Sequence, residues 1–267
     1  MLACVSDAQL FADIKDIERQ EFEQLSGYLR QLDADGWIEQ SYCSDWMVYQ
    51  VVSHLASGSH IGKDRLDGWV NGAAAMTRDD MLAIWAKFDA LSPDQMLGEY
   101  LKAAGEYLAA IRSIDDQAGA QEVEGFAGKR PLYVYQLARL WELTSHSWDV
   151  YVARDRHATF AAEAVRVLAP MLHTLFTPLD RERAAEFADK PVVFKMTDTG
   201  DSYSLDLTDR PRLKQGSAEN VALVVEAPAE EICRFVSGRH FVPGSKPTLR
   251  AASGSAEDLA KLRRAFR

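Results

Sequence analysis

Glu142, His146 and Asp149 lie within one apolar stretch, Leu132-Tyr-Val-Tyr-Gln-Leu-Ala-Arg-Leu-Trp141-Glu142-Leu-Thr-Ser-His146-Ser-Trp148-Asp149-Val-Tyr-Val152. In a helix, residues four apart are separated by about 40° around the axis and about one turn along it. Glu142 and His146 then point the same way, and Asp149, three residues further, joins that face. Two carboxylates and an imidazole on one stripe of an apolar helix cost several kcal/mol if they are buried without partners. A bound cation would remove that cost. The same spacing also suits an ordinary hydrogen-bonded pair one helical turn apart.

These side chains need a scaffold. The spacing predicts a helix over 8–32, with Leu10, Ile14, Ile17, Leu25, Leu29 and Leu32 on one face. Asp33-Ala-Asp-Gly36 is read as its end, with Gly36 as a left-handed cap. Ser44 or Asp45 is the expected N-cap of a second helix that carries Val48, Val51, Val52 and Leu55 inward and His54 at its edge, with Gly58 as its stop. Residues 61–91 show no clear pattern. Pro93 opens a third helix running through Ile111, and 115–130, rich in Gly and Asp, reads as a loop. The helix of Glu142 starts near Pro131, a favourable first-turn residue. A further helix is expected at about 159–177, with Leu168, Leu172 and Phe176 in register.

The pattern then changes. Pro191–Met196 alternates like a strand, Asp198–Asp201 suits a hairpin turn, and Ser202–Leu207 returns. Arg212–Gly216 and Val221–Val225 are further strand candidates. Pro228–Gly238 reads as a helix, and Ser255-Ala-Glu-Asp258 opens a last one with a capping box. The expected fold is mostly α with an α+β C-terminal domain. A helical bundle over 1–180 carries the candidate site, and a small α+β domain over 185–267 contributes to it, with charged residues 178–190 as the link.

Composition narrows the function classes. The chain has 267 residues, 47% hydrophobic and 26% charged, as in globular proteins. Its 30 Lys and Arg against 40 Asp and Glu give a net charge of −10, which opposes nucleic-acid binding by counterion release. No run of about 18 apolar residues suggests a membrane span. Met1-Leu-Ala-Cys-Val-Ser-Asp7 does not read as a signal peptide. Three cysteines, Cys4, Cys43 and Cys233, form no CxxC pair and no disulfide framework, so a cytoplasmic setting is expected. Cys43 is read as packing, as are Trp46, Trp141 and Trp148. His60, His157, His173 and His240 lack spacing partners and are read as surface or packing residues.

Long antiparallel helices can bring ligands together inside a bundle. His54 from the second helix, with Glu142 and His146 from the fourth, makes a two-His, one-Glu set. That set suits Zn²⁺ with positions left open for chemistry, and Mn²⁺ or Ni²⁺ would accept it too.

Ser41-Tyr-Cys-Ser-Asp-Trp46-Met-Val48-Tyr-Gln-Val51-Val-Ser-His54-Leu55 resembles the first signature of the mycothiol-dependent maleylpyruvate isomerase family. Trp141-Glu142-Leu-Thr-Ser-His146-Ser-Trp148-Asp149 resembles its second, and Ser237-Gly238-Arg239 its C-terminal Gly-Arg. Met47 and Tyr49-Gln50 stand where the family pattern has Thr and Arg-Asp. The resemblance implies a DinB-like four-helix bundle followed by a small α+β domain. It implies His54, Glu142 and His146 as ligands of zinc or another divalent metal, and Asp149 and Arg239 as catalytic residues. It implies a mycothiol-like thiol as cosubstrate and a small electrophile as substrate, for isomerisation or S-transfer. In the isomerase chemistry a thiolate adds to an activated double bond, the new single bond rotates, and elimination gives the trans product. The alternative is a DinB-like module that binds metal or small molecules without turnover. Arg239, just past a helix-ending glycine, could otherwise simply complement the helix dipole.

Overall fold

A computed structural model describes residues 6–72, 76–125, 128–175, 179–187, 190–207, 211–240, 242–245 and 247–266. The chain forms two compact units, Met1–Ala158 and Thr159–Arg267.

The first unit holds α1 (Asp7–Leu29), α2 (Ala34–Trp37), α3 (Val48–Asn71), α4 (Arg78–Asp89), α5 (Pro93–Arg112) and α6 (Leu132–Tyr151). A hairpin of β1 (Glu122–Gly125) and β2 (Gly128–Pro131) precedes α6. The four long helices, α1, α3, α5 and α6, meet in one core. Leu25 and Leu29 come from α1, Val51, Val52 and Leu55 from α3, Met96 and Tyr100 from α5, and Leu143 and Val150 from α6. Each fully buried side chain of this size contributes about 1.5–3 kcal/mol, so the apolar stripes seen in the sequence are what hold the bundle together.

Several local readings change. Gly36 does not take a left-handed conformation. Asp33 caps the single turn of α2 by accepting from the Gly36 N–H at 2.8 Å. What residue 36 requires is space, because a Cβ there would meet the Arg154 guanidinium at 2.9 Å. Gly58 does not stop α3, which continues to Asn71 and ends at Gly72 with φ 66°. Ser44 and Asp45 do not cap α3 either; its N-cap is Met47, whose N–H donates to Gln50 Oε1 at 2.8 Å. The unpatterned stretch 61–91 contains the rest of α3 and all of α4, which Thr77 and Asp80 start with a capping box. Residues 115–130 are not a plain loop: they hold a 3₁₀ turn at Asp116–Ala120, strand β1 and part of β2.

The second unit holds α7 (Ala162–Leu168), α8 (Arg181–Ala184), β3 (Val192–Met196), β4 (Ser202–Asp206), β5 (Arg212–Gln215), β6 (Leu223–Ala227), α9 (Ala229–Val236), β7 (Arg250–Ser253) and α10 (Ala256–Ala265). The helix expected over 159–177 is shorter than that. It passes into 3₁₀ geometry at Ala169–Thr174, where Pro170 removes a backbone donor; Phe176 lies outside the described residues. Tyr203 donates to the Ala169 carbonyl at 2.8 Å, tying this segment to β4. The expected link at 178–190 is, where described, folded into this unit: the Asp180 N–H donates to the Ala265 carbonyl at 2.8 Å.

The sheet runs β5-β4-β3-β6-β7. Among the described strands only β3 and β6 pair in parallel. Both are almost continuously buried, as strands covered on two faces should be. Phe194, Phe235 and Phe266 form an aromatic cluster with centroids 5.2–6.1 Å apart. The chain is thus mostly helical with a small sheet-containing C-terminal region. No described helix is long and apolar enough to cross a membrane.

Candidate functional site

His54 projects from α3, and Glu142 and His146 from α6. Their donor atoms all lie within 4.8 Å of one another. His54 Nε2 is 3.2 Å and His146 Nε2 3.5 Å from the same oxygen, Glu142 Oε2. The two imidazole centroids are 4.7 Å apart. Donors bound to zinc at about 2.0–2.2 Å in a tetrahedron stand about 3.3–3.6 Å from each other, close to the two distances from Glu142 Oε2 to the imidazole nitrogens, so the trio is a candidate ligand set.

Asp149 is fully buried. Its Oδ2 lies 2.8 Å from His146 Nδ1. With the proton on Nδ1 donated to Asp149, His146 turns its Nε2 toward Glu142 and His54, where it faces the Glu142 carboxylate as an N–H and would offer a lone pair to a cation. A carboxylate behind a ligand histidine fixes tautomer and ring orientation in this way at metal sites.

The charges agree with that reading. Burial opposes ionisation of Glu142, yet hydrogen bonds from His146 and His54 hold its carboxyl well below the usual range. Burial would depress the His146 imidazole too, but hydrogen bonds to Asp149, Cys43 and Glu142 outweigh it and raise the ring to about 10. A positive charge is therefore demanded between two carboxylates. A proton on His146 supplies one unit of it, and a divalent cation with both imidazoles neutral would balance both carboxylates.

The loop before α3 completes the surroundings. Trp46, expected in the core, is only half-buried, and its ring lies 5.2 Å from the His54 ring and 6.0 Å from the His146 ring. Trp141 and Trp148 are buried as expected. Cys43 is more than packing: its Sγ is 3.2 Å from Asp149 Oδ2. Sequence spacing could not find Cys43, because 106 residues separate it from Asp149. The available signal was its place in the polar segment that leads into the helix of His54.

Arg239 belongs to the second unit. Gly238, with φ 82°, ends α9 in the left-handed conformation that glycine accepts most readily. The Arg239 N–H caps the Arg234 carbonyl at 2.8 Å, and its guanidinium donates to the Ser237 carbonyl at 2.9 Å. Among the other histidines, His60 lies 3.8 Å from Asp64, a turn further along α3. His240 packs on Phe235, and burial with the nearby Arg263 charge lowers it to about 4.

Residues 19–151 match the family model described as the mycothiol maleylpyruvate isomerase N-terminal domain. The fold is similar to crystal structures of the mycothiol-dependent maleylpyruvate isomerase and of its histidine-to-alanine mutant. Each aligns with a TM-score of 0.67 and 16% identity over 92% of this chain and 94% of the other. No curated protein matches the chain.

Proposed function

Because the chain belongs, through residues 19–151, to the mycothiol maleylpyruvate isomerase N-terminal domain family, we propose that it is a thiol-dependent metalloenzyme. His54, Glu142 and His146 would hold a divalent cation, zinc in the first instance. A low-molecular-weight thiol of the mycothiol type would be cosubstrate, and a small electrophile would be isomerised or take up the thiol by S-transfer. The observation that supports this reading is the convergence of three donor atoms from α3 and α6 within 4.8 Å.

Bound there, the cation would supply a thiol in its deprotonated, nucleophilic form at neutral pH. The chain's own residues do the rest. Asp149 holds the Nδ1 proton of His146 and so aims the other ring nitrogen. Trp46 would offer an apolar wall beside both imidazoles. We assign Arg239 the binding of a carboxylate on substrate or cosubstrate, for which a guanidinium offers paired donors.

The test is native mass spectrometry of the full chain with zinc and mycothiol, followed by an isomerisation assay on maleylpyruvate. One zinc per chain, a thiol adduct that needs the zinc, and turnover are expected. A wild-type chain that takes up no zinc at neutral pH would refute the metal reading. Zinc and thiol binding without turnover on any electrophile would reduce the protein to a binding module.

A further inference from the structure

Cys43 stands outside the His54–Glu142–His146 trio but borders it, at Asp149 and at His146, with the donor atoms of Cys43, His146 and Asp149 all within 4.8 Å of one another. Its Sγ is 3.2 Å from Asp149 Oδ2, the oxygen that also lies 2.8 Å from His146 Nδ1. A carboxylate oxygen has two lone pairs. Here one faces an S–H and the other an imidazole N–H, at a carboxylate with no exposure to water. The loop fixes the thiol. The Cys43 N–H donates to Ser41 Oγ at 3.1 Å, and the Cys43 carbonyl accepts from the Gln40 side chain at 2.8 Å and from the Trp46 N–H at 3.0 Å. The Tyr42 N–H donates to the Asp149 carbonyl at 3.2 Å, which ties the same loop to α6. One turn of chain therefore lays Trp46 against the imidazoles and sets Cys43 on the carboxylate behind them.

The geometry points to Cys43 as a positioning residue for the cation site, an inference that rests on the metal reading above. The thiol holds Asp149 Oδ2, Asp149 holds the His146 Nδ1 proton, and His146 Nε2 is thereby kept facing Glu142 and His54. An apolar side chain at 43 would remove the S–H donor from a buried carboxylate oxygen. It would also free Asp149 to turn, and the ligand histidine with it. A serine at 43 would keep the donor. Alkylation would remove it, replacing the S–H by a thioether.

The test compares Cys43→Ala and Cys43→Ser in the full chain by zinc competition against a chromophoric chelator. NMR of the His146 Nδ1–H resonance in the metal-free protein is read alongside. Loss of a group that orients a ligand typically weakens metal binding about 10–100-fold. With Asp149 still in place behind His146, Cys43→Ala is expected at the lower end, about tenfold, with the resonance displaced. Cys43→Ser should restore both. Should Cys43→Ala fold poorly, iodoacetamide treatment of the folded protein in a Cys4→Ser background gives the same loss; Cys233 is fully buried. Zinc affinity and resonance unchanged in Cys43→Ala, or equal losses in Ala and Ser, would overturn the inference. If the wild type takes up no zinc, the metal reading falls, and the resonance alone decides whether Cys43 holds Asp149 and His146.

Discussion

Glu18 and Glu21 on α1 are buried in the bundle, 1% and 4% exposed. Glu18 meets the Gln136 amide, which also reaches the Tyr107 hydroxyl at 2.5 Å. Burial raises each carboxyl from 4.5 to about 7, with Arg139 and Gln136 partly offsetting the effect at Glu18. A group whose folded-state pKa is raised leaves the folded state fully stable below the unfolded value. That stability is lost as the pH climbs through the folded value. The window is therefore about pH 4.5 to 7. A shift of this size corresponds to about 3 kcal/mol per group as a ceiling, a large share of the 5–15 kcal/mol of a typical domain. Glu18→Gln removes the ionisation and keeps the shape. Relative to wild type, it should gain about 2–3 kcal/mol between pH 5 and pH 8. All six tryptophans precede residue 149, so urea denaturation followed by tryptophan fluorescence reports the first unit alone. Chelator in every sample removes any contribution from bound metal. The reasoning fails if Glu18→Gln changes stability equally at the two pH values, or if wild type is more stable at pH 8 than at pH 5.

Other outcomes follow from the same contacts. His54→Ala and Glu142→Gln should each weaken zinc binding by at least about 100-fold while circular dichroism stays helical; stoichiometric zinc in either would remove that residue from the site. Asp149→Asn should cost about 10–100-fold in zinc affinity, and unchanged affinity in chelator competition would show that the His146–Asp149 contact does not matter to the metal. Glycine to alanine inside a helix usually gains about 1 kcal/mol, but a Cβ at Gly62 would stand 2.9 Å from the Tyr107 ring. Gly62→Ala should therefore destabilise by about 1–3 kcal/mol in a thermal melt, and a raised Tm would show that the ring yields freely. Arg239→Lys should raise KM for a carboxylate-bearing substrate more than it lowers kcat, and an unchanged KM would end its assignment as a carboxylate anchor.

Much of the fold could be read from periodicity. The stripes of α1, α5 and α6 lie where helical spacing put them, because a stripe with one apolar face has few other ways to leave water. Strands β3, β4 and β6 showed themselves in the same way. Glycines were the weak point. Gly238 ends its helix as read, whereas Gly36 is closely approached by Arg154 and Leu32, and Gly58, in mid-helix, has only the flexible end of Arg139 beside it, 2.8 Å from where a Cβ would stand. A glycine needed for φ and a glycine needed for space look alike in sequence. Helix α4 was missed because its stripe is shallow; Leu82 and Trp85 remain exposed.

The sequence alone determined the residue types of the candidate site and the shared face of Glu142, His146 and Asp149, since local helix geometry fixes neighbours three, four and seven positions apart. Tertiary structure decided everything that spans elements. His54 meets Glu142 across 88 residues, Cys43 meets Asp149 across 106, and Trp46 faces both imidazoles only because its loop folds back onto α6. Those meetings are set by how the helices pack and by the backbone hydrogen bonds of one turn, and no spacing along a chain encodes the distance between two of its faces.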